Sequence, residues 1–271
     1  MQPSTTSGQS LPLTRRLTGD AALTLVVALL MTAASIAGLL APHTLYPSEE
    51  LRHGFVSNDV VNLVLGLPLL LAAPALTRRG KLLGLLFWPG ALFYVTYNYI
   101  AYAVARPLTW QFILYLALVG LSAWAILRLL KSIDGAAVQA QLAGAVPARF
   151  GGGVLAMLGV LFFLRAVAAI VGALAAGEAL PPAECADLLT APLWVAGGVT
   201  LWRRRTLGYV AGAGLLFQAS LLFVALLVFF ILQPFVAGVP FPAEDFVIIF
   251  VMGWICFVPF GLFVRGIVQR S

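Results

Sequence analysis

The stretch LGYVAGAGLLFQASLLFVALLVFFILQ, residues 207–233, runs for 27 residues without a charged side chain. A helix of about 20 mainly apolar residues crosses the hydrocarbon core of a bilayer. In lipid, a helix also satisfies its own backbone hydrogen bonds. The stretch therefore predicts a membrane-spanning helix. Gly208 and Gly212 form a GxxxG pattern near its start, which favours close packing against a neighbouring helix.

Seven further segments qualify, or nearly qualify, by the same criteria of length and apolar composition. The eight segments cover approximately residues 20–41, 59–77, 82–104, 109–130, 152–176, 188–202, 207–233 and 245–265. The sixth is short, and we expect it either to extend outward through Ala186 and Asp187 or to be tilted or partly buried. The sequence thus predicts an all-α fold, a polytopic transmembrane bundle of eight spanning helices.

The overall composition excludes several classes of protein. Of the 271 residues, 62% are hydrophobic and 10% are charged, and the mean hydropathy is +1.02. A soluble domain is typically ~45–50% apolar and ~25% charged, so this chain cannot cover a water-facing surface. The values exclude an ordinary soluble enzyme, a disordered chain and a disulfide-stapled secreted module. The predicted partner is the lipid bilayer.

The net charge of +6 follows from topology and does not indicate a nucleic-acid partner. With a cytoplasmic N-terminus, thirteen of the sixteen basic residues fall on the cytoplasmic side: Arg15, Arg16, Arg78, Arg79, Lys81, Arg128, Lys131, Arg149, Arg203, Arg204, Arg205, Arg265 and Arg270. Most acids fall on the other side. The positive-inside rule therefore predicts an even number of helices with both termini in the cytoplasm.

The segments divide into two similar halves. We expect a disordered cytoplasmic tail over residues 1–19, a first four-helix unit over 20–130, a cytoplasmic linker over 131–150 and a second four-helix unit over 151–271. Asp59-Val60-Val61 begins the second segment and Asp187-Leu188-Leu189 begins the sixth, and both segments end in a run of arginines. This pattern suggests a tandem 4+4 repeat, and transporters often place their sites at such repeat interfaces.

Arg165 is the first candidate functional residue, because it lies near the middle of the fifth segment. A charge at that depth costs ~2.5–3.5 kcal/mol on insertion scales. We expect Arg165 to face the bundle interior, with Asp59 or Asp187 as partner. It could bind an anionic group of a ligand or balance a buried acid. Alternatively, it could form a structural ion pair or snorkel outward along a shifted helix.

A polar and aromatic cluster in the third segment supplies the other candidates. Tyr94 and Asn98 share one helical face, with Tyr97 beside them, and Asp59 and Asn62 share a face of the second segment. They could line an outward-facing pocket. Alternatively, the tyrosines could form the outer aromatic belt, Asn98 could bond a neighbouring helix, and Asp59 could lie in water or cap its helix.

The sequence offers little for metal, cofactor or nucleotide chemistry. It contains no GxxxxGK[ST], HExxH or GxSxG motif, and GGGVLA at 151–156 opens a membrane segment without a preceding strand. A bridge between Cys185 and Cys256 is not expected, because they fall in an outer loop and in the last apolar segment. His43 and His53 lie in the first outer loop without diagnostic ligand spacing. We expect no metal and no cofactor.

Three long stretches carry a resemblance to a known group of proteins. They are NDVVNLVLGLPLLLAAPAL (58–76), LFWPGALFYVTYNYIAYA (86–103) and FILYLALVGLSAWAIL (112–127), with a weaker match across RRRTLGYV (203–210). They resemble an uncharacterised family of bacterial polytopic membrane proteins. The resemblance implies a bacterial inner-membrane location and agrees with eight helices. It implies no activity, substrate or catalytic residue.

Three functions remain open from the sequence. The first is transport or binding of a small solute or lipid-like molecule at an outward-facing site between the halves, near Arg165, Tyr97, Asn98 and Asp59. The second is a non-catalytic subunit or sensor that contacts a membrane-protein partner within lipid. The third is a membrane-embedded enzyme that acts on lipid or quinone, for which Asp59, Asp187 and the histidines are the few candidate catalytic groups.

Overall fold

The computed structural model describes residues 11–236 and 238–270, and this part of the chain is almost entirely helical. Its β-structure is limited to an isolated bridge between Leu13 and Ile133. The helices are α1 (Thr18–Leu40), α2 (Pro42–Leu45), α3 (Glu49–Val61), a π-helical turn (Asn62–Gly66), α4 (Leu67–Arg78), α5 (Leu82–Ala105), α6 (Trp110–Ser132), α7 (Gly135–Leu142), α8 (Ala148–Ala176), α9 (Pro182–Trp202), α10 (Thr206–Val236) and α11 (Ala243–Val268).

Seven helical segments of the described chain are long and apolar enough to cross a membrane. They are Thr18–Leu40, Glu49–Arg78, Trp110–Ser132, Ala148–Ala176, Pro182–Trp202, Thr206–Val236 and Ala243–Val268. Many of their large apolar side chains, such as Leu29 and Leu164, are exposed on the outside of the bundle. A soluble protein does not tolerate this much exposed apolar surface, so the chain is a multi-pass membrane protein in contact with lipid.

Helix α5 lies outside that set of seven because it is less apolar than the others. Its second half carries Thr96, Asn98 and four tyrosines. It is nevertheless 24 residues long, and 18 of these residues are buried. It packs against α4, α6, α9 and α10. The third predicted segment is therefore an interior helix whose polar side chains face other helices.

The second predicted segment begins ten residues earlier than expected. Ser48 caps α3, since its hydroxyl oxygen accepts a hydrogen bond from the Leu51 N–H at 3.2 Å. The helix then continues through the π-helical turn into α4. A π-helical turn inserts one extra residue into a helix and is frequent at functional sites. Here it joins α3, which carries Asp59, to α4, which ends at Arg78, within one candidate span.

Helices α8 and α9 approach so closely that their backbones touch. A Cβ atom at Gly152 of α8 would lie 2.6 Å from the Gly198 carbonyl oxygen of α9, and one at Gly159 would lie 3.0 Å from the Ala191 carbonyl oxygen. Small residues allow this kind of contact in membrane helices.

Two sequence predictions are confirmed in this region. The sixth predicted segment extends outward through Ala186 and Asp187, because α9 begins at Pro182. The GxxxG prediction is confirmed, since Gly208 and Gly212 pack against Leu201.

One end of the bundle collects most of the basic residues, and we call it the basic end. There the chain from Leu11 to Leu17 packs along the linker, with hydrogen bonds of 2.9 Å from the Asp134 N–H to the Pro12 carbonyl and from the Thr14 N–H to the Ser132 carbonyl. The first ten residues of the predicted disordered tail, residues 1–19, lie outside the described residues. From residue 11 onward the chain is held in place, and α1 begins at Thr18.

Candidate functional site

At the end of the bundle opposite the basic end, Asp59 forms the centre of a buried group that we call the aspartate cluster. The Tyr46 hydroxyl donates to Asp59 Oδ2 at 2.7 Å, and the Tyr102 hydroxyl donates to Oδ1 at 2.8 Å. Asp59 and Tyr46 are completely buried and Tyr102 nearly so. Burial, and next the nearby Asp59 carboxylate, raise the pKa of the Tyr46 hydroxyl, which therefore stays protonated as a donor.

Two of the expectations for Asp59 are wrong. Asp59 does not cap a helix, because α3 begins at Glu49 and Asp59 is its eleventh residue. It does not lie in water either, because α1 and α5 cover it. Gly38 of α1 packs directly on the carboxylate, and a Cβ atom at that position would collide with it. Among the described residues, no basic side chain forms an ion pair with Asp59.

Asparagines extend the aspartate cluster along α5. Asn58 donates to Asn98 Oδ1 at 3.1 Å and to the Tyr102 hydroxyl at 3.2 Å. Deeper in the bundle, the Tyr94 hydroxyl donates to Asn62 Oδ1 at 3.2 Å. The face of α5 that carries Tyr94 and Asn98 therefore does meet the second predicted segment. The alternative that Asn98 bonds a neighbouring helix is confirmed.

A second polar group, which we call the arginine cluster, joins the two halves of the chain. Arg165 Nη2 of α8 lies 2.8 Å from Asp187 Oδ2 of α9, and Arg165 Nη1 lies 3.3 Å from Glu184 Oε1. From the first half, the Tyr97 hydroxyl of α5 donates to Asp187 Oδ1 at 3.0 Å. The prediction of Asp187 as a partner of Arg165 is confirmed. The other proposed partner, Asp59, belongs to the aspartate cluster instead.

Arg165 does not point into the bundle interior, so that prediction is wrong. Its side chain is 51% exposed, whereas the side chains of Asp187 and Glu184 are 6% and 19% exposed. Its two partners lie in the first two turns of α9. The Arg165 guanidinium also stacks over the Phe162 ring, 5.4 Å from its centroid. The Arg165 guanidinium thus contacts two carboxylates and one aromatic ring, and about half of the side chain remains exposed.

The seven predicted site residues therefore fall into two groups that share one helix. Tyr94, Asn98, Asp59 and Asn62 belong to or adjoin the aspartate cluster. Arg165, Asp187 and Tyr97 form the arginine cluster. Helix α5 contributes to both, with Tyr102 on the aspartate side and Tyr97 on the arginine side. Their role in binding a ligand stays a prediction.

Three partners in these clusters were missed by sequence reasoning. Tyr46 lies in the loop before α3, Asn58 precedes Asp59, and Glu184 lies in the first turn of α9. The sequence carries one usable signal, because Glu184 stands three residues before Asp187 and so shares its helical face. Tyr46 carries no such signal, since its position depends on how the loop between α1 and α3 folds.

A third charged group lies at the basic end and was also missed. Asp20 is completely buried, and Arg15 and Arg128 bind its two carboxylate oxygens at 2.7 and 3.0 Å. The hydrogen bond to Asp20 raises the pKa of Arg15. This group ties the start of α1 to the end of α6. The two arginines neutralise the buried Asp20, and each of its carboxylate oxygens is already bound by a protein side chain.

A groove of about 240 Å³ lies near the basic end between the two halves. Helices α5, α6, α9 and α10 line it with Pro89, Gly90, Phe93, Ile126, Leu130, Leu193, Ala196, Gly197, Thr200, Leu207, Ala211, Gly214 and Leu215. The Thr200 hydroxyl is bound to the Ala196 and Gly197 carbonyls, so the lining is apolar in practice. The groove is separate from both polar clusters, which were expected to surround an outward-facing pocket.

Within residues 11–236 and 238–270, no group of three His, Cys, Asp or Glu side chains is placed to hold a metal ion. The chain matches no protein-family model, no curated protein and no solved structure.

Proposed function

We propose that the protein binds a small solute carrying a carboxylate or phosphate group at the arginine cluster, and that this binding serves transport of the solute across the membrane. The observation that supports the proposal is a half-exposed arginine inside a membrane helix, held by one buried and one more accessible carboxylate. Ionisable groups within membrane segments are functional candidates by default, because their burial is costly.

Glu184 is the partner that an anionic solute would displace. It lies 3.3 Å from Arg165, farther than Asp187 at 2.8 Å, and it is the more exposed of the two acids. A weakly held carboxylate can exchange with a carboxylate or phosphate of a ligand, since arginine binds both in the same geometry. Asp187 would then stay in place, fixed by Tyr97, and position the guanidinium for the solute.

The position of the arginine cluster supports a transport role because it joins the two halves. Tyr97 belongs to the first half, whereas Arg165 and Asp187 belong to the second. Alternating access in repeat transporters consists of motion of one unit against the other around a site near their interface. A solute that changed the contacts of Arg165 would change the polar link between α5 and the α8–α9 pair.

We further propose that the chain crosses a bacterial inner membrane eight times, as two four-helix units in tandem, with both termini in the cytoplasm. Helix α5 would be the additional crossing. Its 24 residues span about 36 Å, enough for a bilayer. It runs from Gly84, which packs on Leu76 and Thr77 close to Arg78, to Tyr102, which bonds Asp59 at the opposite end.

Anion binding to the purified protein tests the proposed function. The probes are acetate, succinate and inorganic phosphate, and the readout is the unfolding temperature in detergent at constant ionic strength. We expect at least one probe to raise the unfolding temperature of the wild type. The Glu184→Gln variant should bind that probe more tightly, by up to about fivefold, because a competing, partly exposed ion pair of about 0.2–1 kcal/mol is removed.

Two further variants complete the experiment. Arg165→Gln should abolish the effect of the probe, whereas Glu178→Gln, which removes an exposed acid outside the cluster, should leave it at the wild-type value. If no probe stabilises either the wild type or the Glu184→Gln variant, the proposal is wrong. The arginine cluster is then a structural tie, and a non-catalytic membrane subunit becomes the better interpretation.

A further inference from the structure

The groove between α5, α6, α9 and α10 has an apolar interior and a basic rim. Leu193, Ala196 and Leu207 are exposed along its opening, so it is accessible from the side of the bundle. Its volume of about 240 Å³ lies below the range of ~300–1,000 Å³ that drug-sized ligands occupy. A narrow apolar groove that opens toward hydrocarbon suits a flexible alkyl chain better than a bulky polar solute.

The basic rim is the turn between α9 and α10. Thr200 and Leu207 line the groove, and the turn between them carries Arg203, Arg204 and Arg205. All three arginines are exposed. Within the part of the chain that the structure describes, their guanidinium groups form neither ion pairs nor hydrogen bonds. On the α6 side, the groove residue Leu130 is followed by Lys131, which is also exposed.

The turn is held in an unusual backbone conformation. Arg204 has φ +54°, in the left-handed region that non-glycine residues seldom adopt. The Gln139 side chain of α7 holds it there, because Gln139 Nε2 donates to the Arg204 carbonyl at 2.9 Å. The Thr206 hydroxyl in turn donates to Gln139 Oε1 at 2.6 Å. A fixed turn thus presents three unpaired arginines beside an apolar groove.

We propose that this groove and turn form a binding site for an anionic glycerophospholipid of the leaflet at the basic end. One acyl chain lies in the groove, and the phosphate lies against Arg203 and Arg205. Basic residues beside a cleft between membrane helices are suited to anionic headgroups. Charge complementarity therefore selects an anionic lipid over a neutral one of equal chain length. This site is distinct from the arginine cluster, so the two proposals stand separately.

Native mass spectrometry of the full-length protein with added lipid tests the site. The probes are phosphatidylglycerol, phosphatidylcholine with the same acyl chains, and inorganic phosphate. We expect phosphatidylglycerol to bind most tightly, and phosphate alone, which lacks an acyl chain, not to compete with it at equal concentration. Each basic residue near a membrane surface contributes about 1 kcal/mol, or roughly fivefold in affinity. The Arg203→Gln/Arg205→Gln variant should therefore lose phosphatidylglycerol affinity by about 25-fold.

Matched variants separate this site from a general attraction between basic loops and acidic lipid. Arg78→Gln/Arg79→Gln removes two exposed charges at the same end, outside the groove, and should have a much smaller effect. Ala196→Phe fills the groove and should lower phosphatidylglycerol binding, whereas Ala168→Phe on an exposed face of α8 should not. Ala211→Phe fills the groove from α10 and replaces Ala196→Phe if that variant does not fold.

Several results would overturn the proposal. Equal binding of the two lipids would remove the role of the arginines. Equal losses in the two double-glutamine variants would show that the charge acts without a defined site. Undiminished binding in a folded groove-filling variant would show that no acyl chain occupies the groove.

Discussion

At the scale of single residues, the polar side chains of this protein share a few acceptors. Asp59 accepts from Tyr46 and Tyr102, and Asp187 accepts from Tyr97 and Arg165. Where water is excluded, an unpaired polar group costs more than a hydrogen bond returns. The contribution of each acid to stability therefore lies mainly in the groups that would be left without a partner if it were removed.

Asp59→Ala tests this reasoning at the aspartate cluster. It leaves the Tyr46 hydroxyl buried without an acceptor and removes the main acceptor of Tyr102. We expect the free energy of unfolding to fall by about 2–6 kcal/mol, from ~1–3 kcal/mol for each of the two buried hydroxyls. Equilibrium unfolding in mixed micelles measures the loss. Asp245→Ala removes an exposed acid of α11 and should change stability by less than about 0.5 kcal/mol. Equal effects would contradict the reasoning.

The link between Arg165 and Asp187 is suited to a double-mutant cycle. Arg165→Gln leaves Asp187 buried without its cation, and we expect a loss of about 1–3 kcal/mol, reduced from that of a fully buried pair because Arg165 is half exposed. Asp187→Asn should also destabilise the protein. The double variant should lose less than the sum, with a coupling energy of about 1–2 kcal/mol. Additive losses would mean that the ion pair contributes nothing measurable.

Sequence reasoning at this scale succeeded where charge alone decides the partner. Arg165 needs an anion, and Asp187 is one of the two carboxylates that sequence reasoning proposed for it. Reasoning failed where the partner depends on loop conformation or on side-chain direction. The loop that carries Tyr46 folds over Asp59, and Arg165 stays half exposed while it binds Asp187 and Glu184. Neither result follows from helical periodicity, which predicts shared faces but not which face meets a loop.

At the scale of elements, glycine positions decide how closely the helices approach. Gly152, Gly159 and Gly198 allow α8 and α9 to touch along their backbones, whereas Gly153 faces open space. The apolar runs predicted where helices form, but not which glycines lie at contacts. The π-helical turn at Asn62 was likewise not predictable, because the residues Asn62–Gly66 are also compatible with an ordinary α-helix. The Tyr94 ring packs against Gly66 at the end of this turn. That contact forms only when the bundle folds, so the local sequence does not reveal it.

Gly152→Ala and Gly153→Ala form a matched pair on adjacent residues of one helix. A methyl group at Gly152 would meet the Gly198 carbonyl oxygen at 2.6 Å, and we expect a destabilisation of about 1–3 kcal/mol from overpacking. At Gly153 a Cβ atom meets nothing within 4 Å, so helix propensity should stabilise the protein by up to about 1 kcal/mol. Thermal unfolding in detergent compares the two. A larger loss of stability in Gly153→Ala than in Gly152→Ala would contradict the close contact between Gly152 and Gly198.

At the scale of the whole molecule, the fold class and the multi-pass character were predictable from the apolar runs alone. The described chain contains helices at all eight predicted segments, and seven of them meet the length and composition of a span. Helix α5 is the exception because neighbouring helices, rather than lipid, surround most of it. Hydropathy measures affinity for lipid, so it is least informative for the helix that lipid contacts least.

Reporter fusions test the topology of the whole chain. With eight crossings, a cytoplasmic reporter fused after Ser271 should be active, and one inserted after Gly144 in the linker should be active too. A periplasmic reporter should be active when inserted after Glu178 or after Arg106, which follows α5. A cytoplasmic signal after Arg106 would remove α5 from the set of crossings. A periplasmic signal after Ser271 would contradict the even count.

The interior position of α5 also bears on how the protein is made. A helix with Asn98 and four tyrosines in its second half gains little from leaving the translocon for lipid by itself. Its polar side chains find partners on α1 and α3, which are synthesised before it, and on α6 and α9, which follow. On the eight-crossing topology, we expect α5 to remain beside the translocon until α6 and α9, which bind Thr96 and Tyr97, have emerged. Biogenesis of the whole protein then depends on α9, made about a hundred residues later.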